Sequence, residues 1–280
     1  MPDETADRAI TAHHPTKRFG QNFLKDPRVI SRIIEAFAPL PDETVIEIGP
    51  GTGALTAILV ERAGQVVAVE FDNKLVPLLR ERFGDRPNFK LLHADALNAD
   101  LCAAISPSSS ARLVANLPYN ISTAIVQRLI TQRHCLNEMV VMLQKEVVER
   151  IQAPAGSSDR GYLSVLVEAY CETEKLFDVA PGAFLPKPKV WSTVARLTFR
   201  SKLAVEVQSE ELLWMTVSAG FMQKRKTILN NLRNAAGKLH EVIKNNGGAS
   251  IVLCKAEVDL QRRAETLTIE EWGRIVQAME

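Results

Sequence analysis

The sequence predicts an α/β protein, a mostly parallel seven-stranded sheet with helices on both faces, followed by a small all-helical C-terminal domain. Three observations lead there. From Val45 onward, short β-branched runs alternate with longer stretches of helical apolar spacing, the signature of repeated βαβ units. The run from Met139 to Leu143 is apolar without interruption, as a strand buried on both faces requires. Beyond Lys202 the strand-like alternation stops and only helical spacing remains.

In chain order, Val45-Ile46-Glu47-Ile48 predicts the first strand, Ala54 to Arg62 a helix, and Val66 to Glu70 the second strand. Asn73 to Phe83 predicts the next helix, Phe89 to His93 the third strand and Arg112 to Ala115 the fourth. A helix over Thr123 to Arg133 then leads into the apolar fifth strand. After the Gly- and Ser-containing loop from Gly156 to Gly161, two more strands are expected over Cys171 to Val179 and Val190 to Phe199. Three helices follow, Glu210 to Phe221, Arg225 to Ala236 and Ile269 to Met279. The expected organisation is a disordered tail over 1–15, an α/β domain over 16–204 and a helical domain over 205–280.

Composition narrows the function classes. With 280 residues, 46% hydrophobic and 24% charged, the chain has the make-up of a folded globular protein. Its net charge is only +1, from 34 basic and 33 acidic residues, so any affinity for phosphate must be local. Cys102, Cys135, Cys171 and Cys254 form no CxxC pair, which removes zinc-ribbon and redox-dithiol readings and fits a reducing cytosol. The five histidines show no HExxH spacing, so no metal is assigned. No apolar run reaches the ~18 residues needed to cross a bilayer, and Asp3, Glu4 and Asp7 are foreign to a transit peptide. The expectation is a cytoplasmic protein without membrane attachment, and a monomer, because nothing in the chain asks for a second copy.

The first strand runs into Gly49-Pro50-Gly51-Thr52-Gly53, where glycines allow a tight turn and let a ligand approach bare backbone. Glu70 closes the second strand about 20 residues later, a position from which a carboxylate can accept bonds from ribose hydroxyls. Asp95 follows the third strand and can accept from an adenine amino group, although an aspartate there also suits a turn or helix cap. Gly49, Glu70 and Asp95 at three successive strand ends suit a nucleoside-shaped ligand. The glycines alone also satisfy a loose dinucleotide fingerprint, so a dehydrogenase reading survives at this point.

The fourth strand ends in Asn116-Leu117-Pro118-Tyr119, which decides the chemistry. The exocyclic amine of adenine is a poor nucleophile because its lone pair is delocalised into the ring. If the Asn116 side-chain oxygen and the Leu117 carbonyl both accept from that amine, the nitrogen becomes more tetrahedral and its lone pair is aimed at an electrophile. Pro118 fixes its own φ and offers no N–H, and Tyr119 offers a flat face on which a base can stack. As a plain strand-to-helix turn, the same segment would use Ser122 or Thr123 as an N-cap.

The ordered set Lys17 to Leu24 (KRFGQNFL), Glu47 to Gly53, Asn116 to Thr123, Leu143 to Val147 and Phe184 to Val190 resembles the small-subunit ribosomal RNA adenine N6,N6-dimethyltransferases, from about Lys17 to the end of the chain. The resemblance implies a Rossmann-like class I methyltransferase domain and S-adenosylmethionine as donor. It further implies dimethylation of two adjacent adenosines near the 3′ end of small-subunit (16S) rRNA within the pre-30S particle, late in assembly. By the same resemblance Asn22, Leu24, Gly49, Gly51, Glu70, Asp95 and Asn116 would bind the donor, and Phe184 would sandwich the target adenine against Tyr119. The chain departs from the family in reading Arg160-Gly161-Tyr162 where Tyr-Gly-Arg is common.

No acid occurs between Asp178 and Glu206, or between Glu211 and Glu241. Lys187 and Lys189 in the first span, and Lys224, Arg225 and Lys226 on a predicted helix in the second, are the expected RNA contacts, with Lys17, Arg18, Lys25 and Arg28 as a third basic group. Two other readings stay open: a large-subunit rRNA dimethyltransferase, where Ile is common in place of Leu117, and a non-catalytic RNA-binding assembly or transcription factor on the same scaffold.

Overall fold

The structure is a computed structural model and describes residues 21–280. The expected tail over 1–15, and Lys17 and Arg18, lie outside the described residues. The seven sheet strands are β2 (Thr44–Ile48), β3 (Gln65–Glu70), β4 (Phe89–His93), β5 (Ala111–Asn116), β6 (Leu136–Gln144), β7 (Cys171–Val179) and β9 (Ser192–Phe199). A short antiparallel pair, β1 (Phe23–Leu24) with β8 (Phe184–Leu185), stands apart from that sheet. The sheet order is β4-β3-β2-β5-β6-β9-β7. Parallel pairing joins β4 to β3, β3 to β2, β2 to β5 and β5 to β6, and β9 runs antiparallel to β6.

The order reverses at β2, since β3 and β4 lie on one side of it and β5 and β6 on the other. In open α/β sheets the crevice outside the carboxyl ends of strands at such a switch point holds the ligand. Val45, Ile46, Val66, Val67, Leu113, Val114 and Met139 to Leu143 are all buried, so the central strands are covered on both faces. The helices up to β6 are α1 (Pro27–Phe37), α2 (Thr56–Arg62), α3 (Leu75–Phe83), α4 (Leu101–Ala104) and α5 (Ser122–Thr131), and α6 (Lys145–Ile151) follows β6. α1 starts where the Asp26 side chain accepts from the Arg28 N–H at 2.9 Å and Pro27 opens the first turn. It buries one face through Ile33, Ile34 and Phe37.

The described residues divide into two compact units, 21–148 with 173–199, and 149–172 with 200–280. The segment 149–172, which the sequence places with the α/β domain, contains α7 (Tyr162–Tyr170), whose Leu163, Val165, Leu166, Val167, Ala169 and Tyr170 are all buried. A helix with so many buried apolar positions has little solvent face and must be covered over most of its surface. Within the second unit the Trp214 indole donates to the Tyr170 hydroxyl at 2.8 Å, and that hydroxyl donates to Glu210 at 2.9 Å. This unit also holds α8 (Glu210–Gly220), α9 (Ile228–Arg233), α10 (Gly237–Asn245), α11 (Ala249–Lys255) and α12 (Ile269–Gln277). α12 begins in a capping box between Thr268 and Glu271.

Three local expectations are corrected. Phe221 to Lys226 is a turn, not a helix, because the buried Asn231 side chain donates to the carbonyls of Gly220 and Gln223 and accepts from the Gln223 N–H, while Thr227 caps α9. Ser122 and Thr123 are not N-caps, since Ile121 holds that position and the Ser122 hydroxyl donates to the Tyr119 carbonyl at 3.3 Å. Cys102 and Cys135 form a disulfide with Cα atoms 5.5 Å apart. Their sequence separation of 33 conceals the pair, which α4 and the 3₁₀ turn Arg133–Cys135 bring together. His134 lies beside both sulfurs, the one group among the described residues with the spacing of metal ligands; joined to each other, those sulfurs are not thiolates. Among the described residues no helix is long and apolar enough to cross a membrane.

Candidate functional site

A cavity of about 270 Å³ opens at the carboxyl ends of β2, β3 and β5, at the switch point. It is lined by Asn22, Gly49, Gly51, Glu70, Asp95, Asn116, Leu117, Pro118 and Tyr119, together with Gln21, Phe23, Phe71, Asp72, Leu97 and Ile125. Nine residues from five separate sequence segments therefore meet in one place.

The glycine turn forms the floor. Gly49, Gly51 and Gly53 have φ of 67°, 59° and 84°, a region that residues with a Cβ rarely adopt. At Gly53 a Cβ would also stand 2.5 Å from the Phe83 ring, so packing forbids a side chain there as firmly as conformation does. Below the turn, Glu47 is buried and accepts from the Thr56 hydroxyl at 2.6 Å. Burial pushes its carboxyl up to about 7, against the Thr56 bond, which lowers it.

Glu70 is also buried, and its carboxylate organises the turn it faces. One oxygen accepts from the Phe71 and Asp72 N–H groups at 2.8 Å each, and the other accepts from the Gly51 N–H at 3.2 Å. Burial raises its pKa, and these three backbone donors oppose the rise. Three bonds leave a carboxylate with acceptor capacity for a ligand hydroxyl. Asp95 lines the cavity and holds the turn after β4, its side chain accepting from the Leu97 N–H at 2.9 Å and from the Asn98 amide at 3.2 Å.

At the opposite wall, the Asn116 amide nitrogen donates to the Asn22 carbonyl at 3.0 Å. That bond sets which way the amide faces and leaves Oδ1 as its acceptor for a ligand. Leu117 is held by its N–H, which donates to the Met142 carbonyl at 3.2 Å. The Tyr119 hydroxyl is hydrogen-bonded to the buried Ser192 hydroxyl. Burial raises the Tyr119 pKa, against the Ser192 bond, which lowers it, and the residue lines the cavity. The segment before α1 closes one side, where the Gln21 amide donates to Asp72 at 2.9 Å.

Two site residues lie elsewhere. Leu24 does not line this cavity; it is buried and borders a smaller space of about 30 Å³ next to Glu47 and Gly49. Phe184 pairs with Leu24 in the β1–β8 ribbon and packs in the core with Phe37, Val179 and Val194. It is 2% exposed and absent from the cavity wall, because ribbon pairing turns it inward. Arg160 and Tyr162, the transposed pair, are structural in the second unit. Arg160 is buried and bound to Glu168 and to the Ala153 carbonyl, and Tyr162 meets the Trp214 ring edge-on at 6.4 Å. Lys187 and Lys189 are exposed in the first unit. Lys224, Arg225 and Lys226 are exposed in the second, with Lys224 donating to the Ser158 carbonyl. Phe71, Leu97 and Ile125 are wall residues that sequence reading passed over; the signal for Phe71 was an aromatic directly after a strand-terminal acid.

Comparison with known proteins gives a consistent answer. The chain is 41% identical over 263 residues to the ribosomal RNA small subunit methyltransferase A of Hahella chejuensis, covering 94% of this chain and 92% of that one. It is 42% identical over 272 residues to the protein of the same name from Geobacillus sp. (strain WCH70), covering 94% and 91%. Among solved structures it is similar to a dimethyladenosine transferase from Plasmodium falciparum, with a TM-score of 0.74, 23% identity and coverage of 91% and 96%, a likeness of fold. It is also similar to the 23S rRNA methyltransferase ErmE, with a TM-score of 0.64, 28% identity and coverage of 92% and 99%. The profile of the family described as ribosomal RNA adenine dimethylase matches residues 12–274, and the chain belongs to that family.

Proposed function

We propose that this protein is an S-adenosylmethionine-dependent methyltransferase that dimethylates N6 of two adjacent adenosines near the 3′ end of small-subunit rRNA. The observation that carries this reading is the convergence of the glycine turn, Glu70, Asp95 and the oriented Asn116 amide on one cavity. Its substrate would be rRNA within the pre-30S particle, approached by a monomer, and a cytoplasmic site of action follows from that substrate.

The residues present fit the proposed donor. Glu70 and Asp95 offer carboxylate acceptors suited to ribose hydroxyls and an adenine amine, and Gly49 and Gly51 bring bare backbone to the wall nearest Asn22 and Asn116. Leu24 would act from beneath by backing this wall. When bound, S-adenosylmethionine supplies an electrophilic methyl group. Asn116 Oδ1 and the Leu117 carbonyl would accept the two hydrogens of the target amine, localising the nitrogen lone pair. Pro118 would hold the carbonyl geometry, and Tyr119 would stack on the base, which repays part of the cost of extruding a nucleotide. The methylated nitrogen sheds its proton to water. Phe184, packed behind Leu24, would support the site from the core in this conformation. Lys187 and Lys189 in one unit and Lys224, Arg225 and Lys226 in the other would meet phosphates.

The test offers labelled S-adenosylmethionine together with small subunits, large subunits, naked rRNA or duplex DNA. Label recovered as N6,N6-dimethyladenosine from small-subunit RNA alone is the expected result. Label confined to large subunits favours the other rRNA substrate, and RNA binding without any transfer favours the non-catalytic factor.

A further inference from the structure

Six residues, Pro186-Lys187-Pro188-Lys189-Val190-Trp191, connect β8 to β9. This connection carries one aromatic on each flank, and the two have opposite fates. Phe184 is buried at 2% exposure, whereas Trp191 is 52% exposed. Its chain neighbour Val190 is exposed as well, as is Leu185 at the end of β8, and exposed apolar groups gathered on one short segment mark an interaction surface.

The main chain that carries the indole is held firmly. The Trp191 carbonyl accepts from the Lys145 N–H at 2.9 Å, and the next residue, Ser192, is buried and hydrogen-bonded to the Tyr119 hydroxyl. Tyr119 lines the cavity, so the Trp191 backbone is one residue removed from a direct contact with the cavity wall. Lys187 and Lys189 are exposed on the same short connection, and no acid occurs between Asp178 and Glu206 to offset them. An exposed aromatic on the same connection as two exposed lysines, next in the chain to the Ser192 that is bonded to the cavity residue Tyr119, has the chemistry of a single-stranded nucleic-acid platform: the ring stacks a base and the ammonium groups meet its phosphates.

We infer that Trp191 is a stacking platform for an unpaired nucleotide flanking the target adenosine, with Lys187 and Lys189 on the adjoining phosphates. The inference rests on the proposed rRNA substrate. It adds a positioning residue outside the methyl-transfer pocket, which orders the strand on either side of the extruded base. Charge complementarity favours RNA over a second copy of this chain, because two copies would bring the same lysines together.

The test uses the full chain and a short single-stranded RNA that contains two adjacent adenosines. Tryptophan emission is followed during titration for the wild type, Trp191→Phe and Trp191→Ala, with thermal unfolding as the folding control. The wild type should be quenched, and that quench should be lost in Trp191→Phe. Trp191→Ala should bind the RNA roughly 5- to 150-fold more weakly, the range set by stacking energies of about 1–3 kcal/mol per base, and Trp191→Phe should retain most of the affinity. With small subunits as substrate, the defect of Trp191→Ala should fall on KM for RNA and not on affinity for S-adenosylmethionine. Unchanged RNA affinity in Trp191→Ala, or an equal quench in Trp191→Phe, overturns the inference. So does a concentration-dependent dimer in sedimentation that Trp191→Ala abolishes, which would assign the patch to a second copy. Indole-dependent RNA binding without methyl transfer to any RNA would uphold the platform and sink the proposed reaction, whereas transfer without indole-dependent binding would do the reverse.

Discussion

Asn116 and Asn22 stand 94 residues apart in the chain, and the side-chain amide of the first donates to the main-chain carbonyl of the second across 3.0 Å. One bond thereby couples the segment before α1 to the end of β5 and decides which atom of the Asn116 amide is presented to the cavity. A substitution at Asn116 therefore removes an oriented acceptor. We expect Asn116→Ala to lower the methyl-transfer rate by roughly 10²–10³, as loss of a preorganised polar group at a reacting centre does, with less effect on donor affinity. Single-turnover kinetics alongside calorimetric S-adenosylmethionine binding check this. Unchanged turnover would contradict the assigned role.

Glu70 acts on the donor instead. Glu70→Ala strips the Gly51, Phe71 and Asp72 N–H groups of their shared acceptor and removes the ribose partner. Hydrogen bonds to a charged group are worth about 1.5–3 kcal/mol, so S-adenosylmethionine affinity should fall on the order of 10- to 100-fold. An affinity within twofold of wild type would remove Glu70 from the donor site.

Glu47 makes stability depend on pH. The unfolded carboxyl titrates at 4.5, and burial holds the folded one up to about 7. Between those values the folded state keeps a proton that the unfolded chain releases. Stability from this group is therefore fully present below 4.5 and is lost as pH rises through about 7, a decline of up to about 3 kcal/mol. The raised pKa of Glu70 acts in the same direction. Glu47→Gln should keep the bond to Thr56, remove the titration and flatten the dependence. Melting temperatures from pH 5 to 8 are the measurement, and parallel curves for the two proteins would refute the linkage.

The Cys102–Cys135 bond closes a loop of 33-residue separation. By loop-closure entropy such a cross-link stabilises a chain by about 3–4 kcal/mol. Denatured, unreduced protein should titrate two of its four cysteines with thiol reagents and all four after reduction. Cys102→Ser should unfold at lower denaturant concentration. Four reactive thiols before reduction would show that the bond does not form in solution.

Much of the architecture was legible because it rests on local and periodic signals. The alternation from Val45 to Leu143 marks βαβ units, and β2 through β6 lie where their apolar runs place them. Gly49, Glu70, Asp95 and Asn116 were legible for a related reason: strand ends of a parallel sheet all open on one edge, so residues at strand ends share a site without any knowledge of side-chain contacts. Phe221 to Lys226 has a helix-compatible composition but is a turn, because the buried Asn231 that holds it acts from outside the segment.

The sequence by itself thus determined the class of fold, the family and the strand-end residues that meet, since periodicity and short motifs are properties of neighbouring residues. Tertiary structure alone decided which way the Asn116 amide faces, that Cys102 meets Cys135, that burial raises the Glu47 pKa, and that Trp191 rather than Phe184 stands in water. Each of these depends on atoms brought close by packing between distant segments, where burial and partner geometry set the energy, and no local pattern in the chain encodes that proximity.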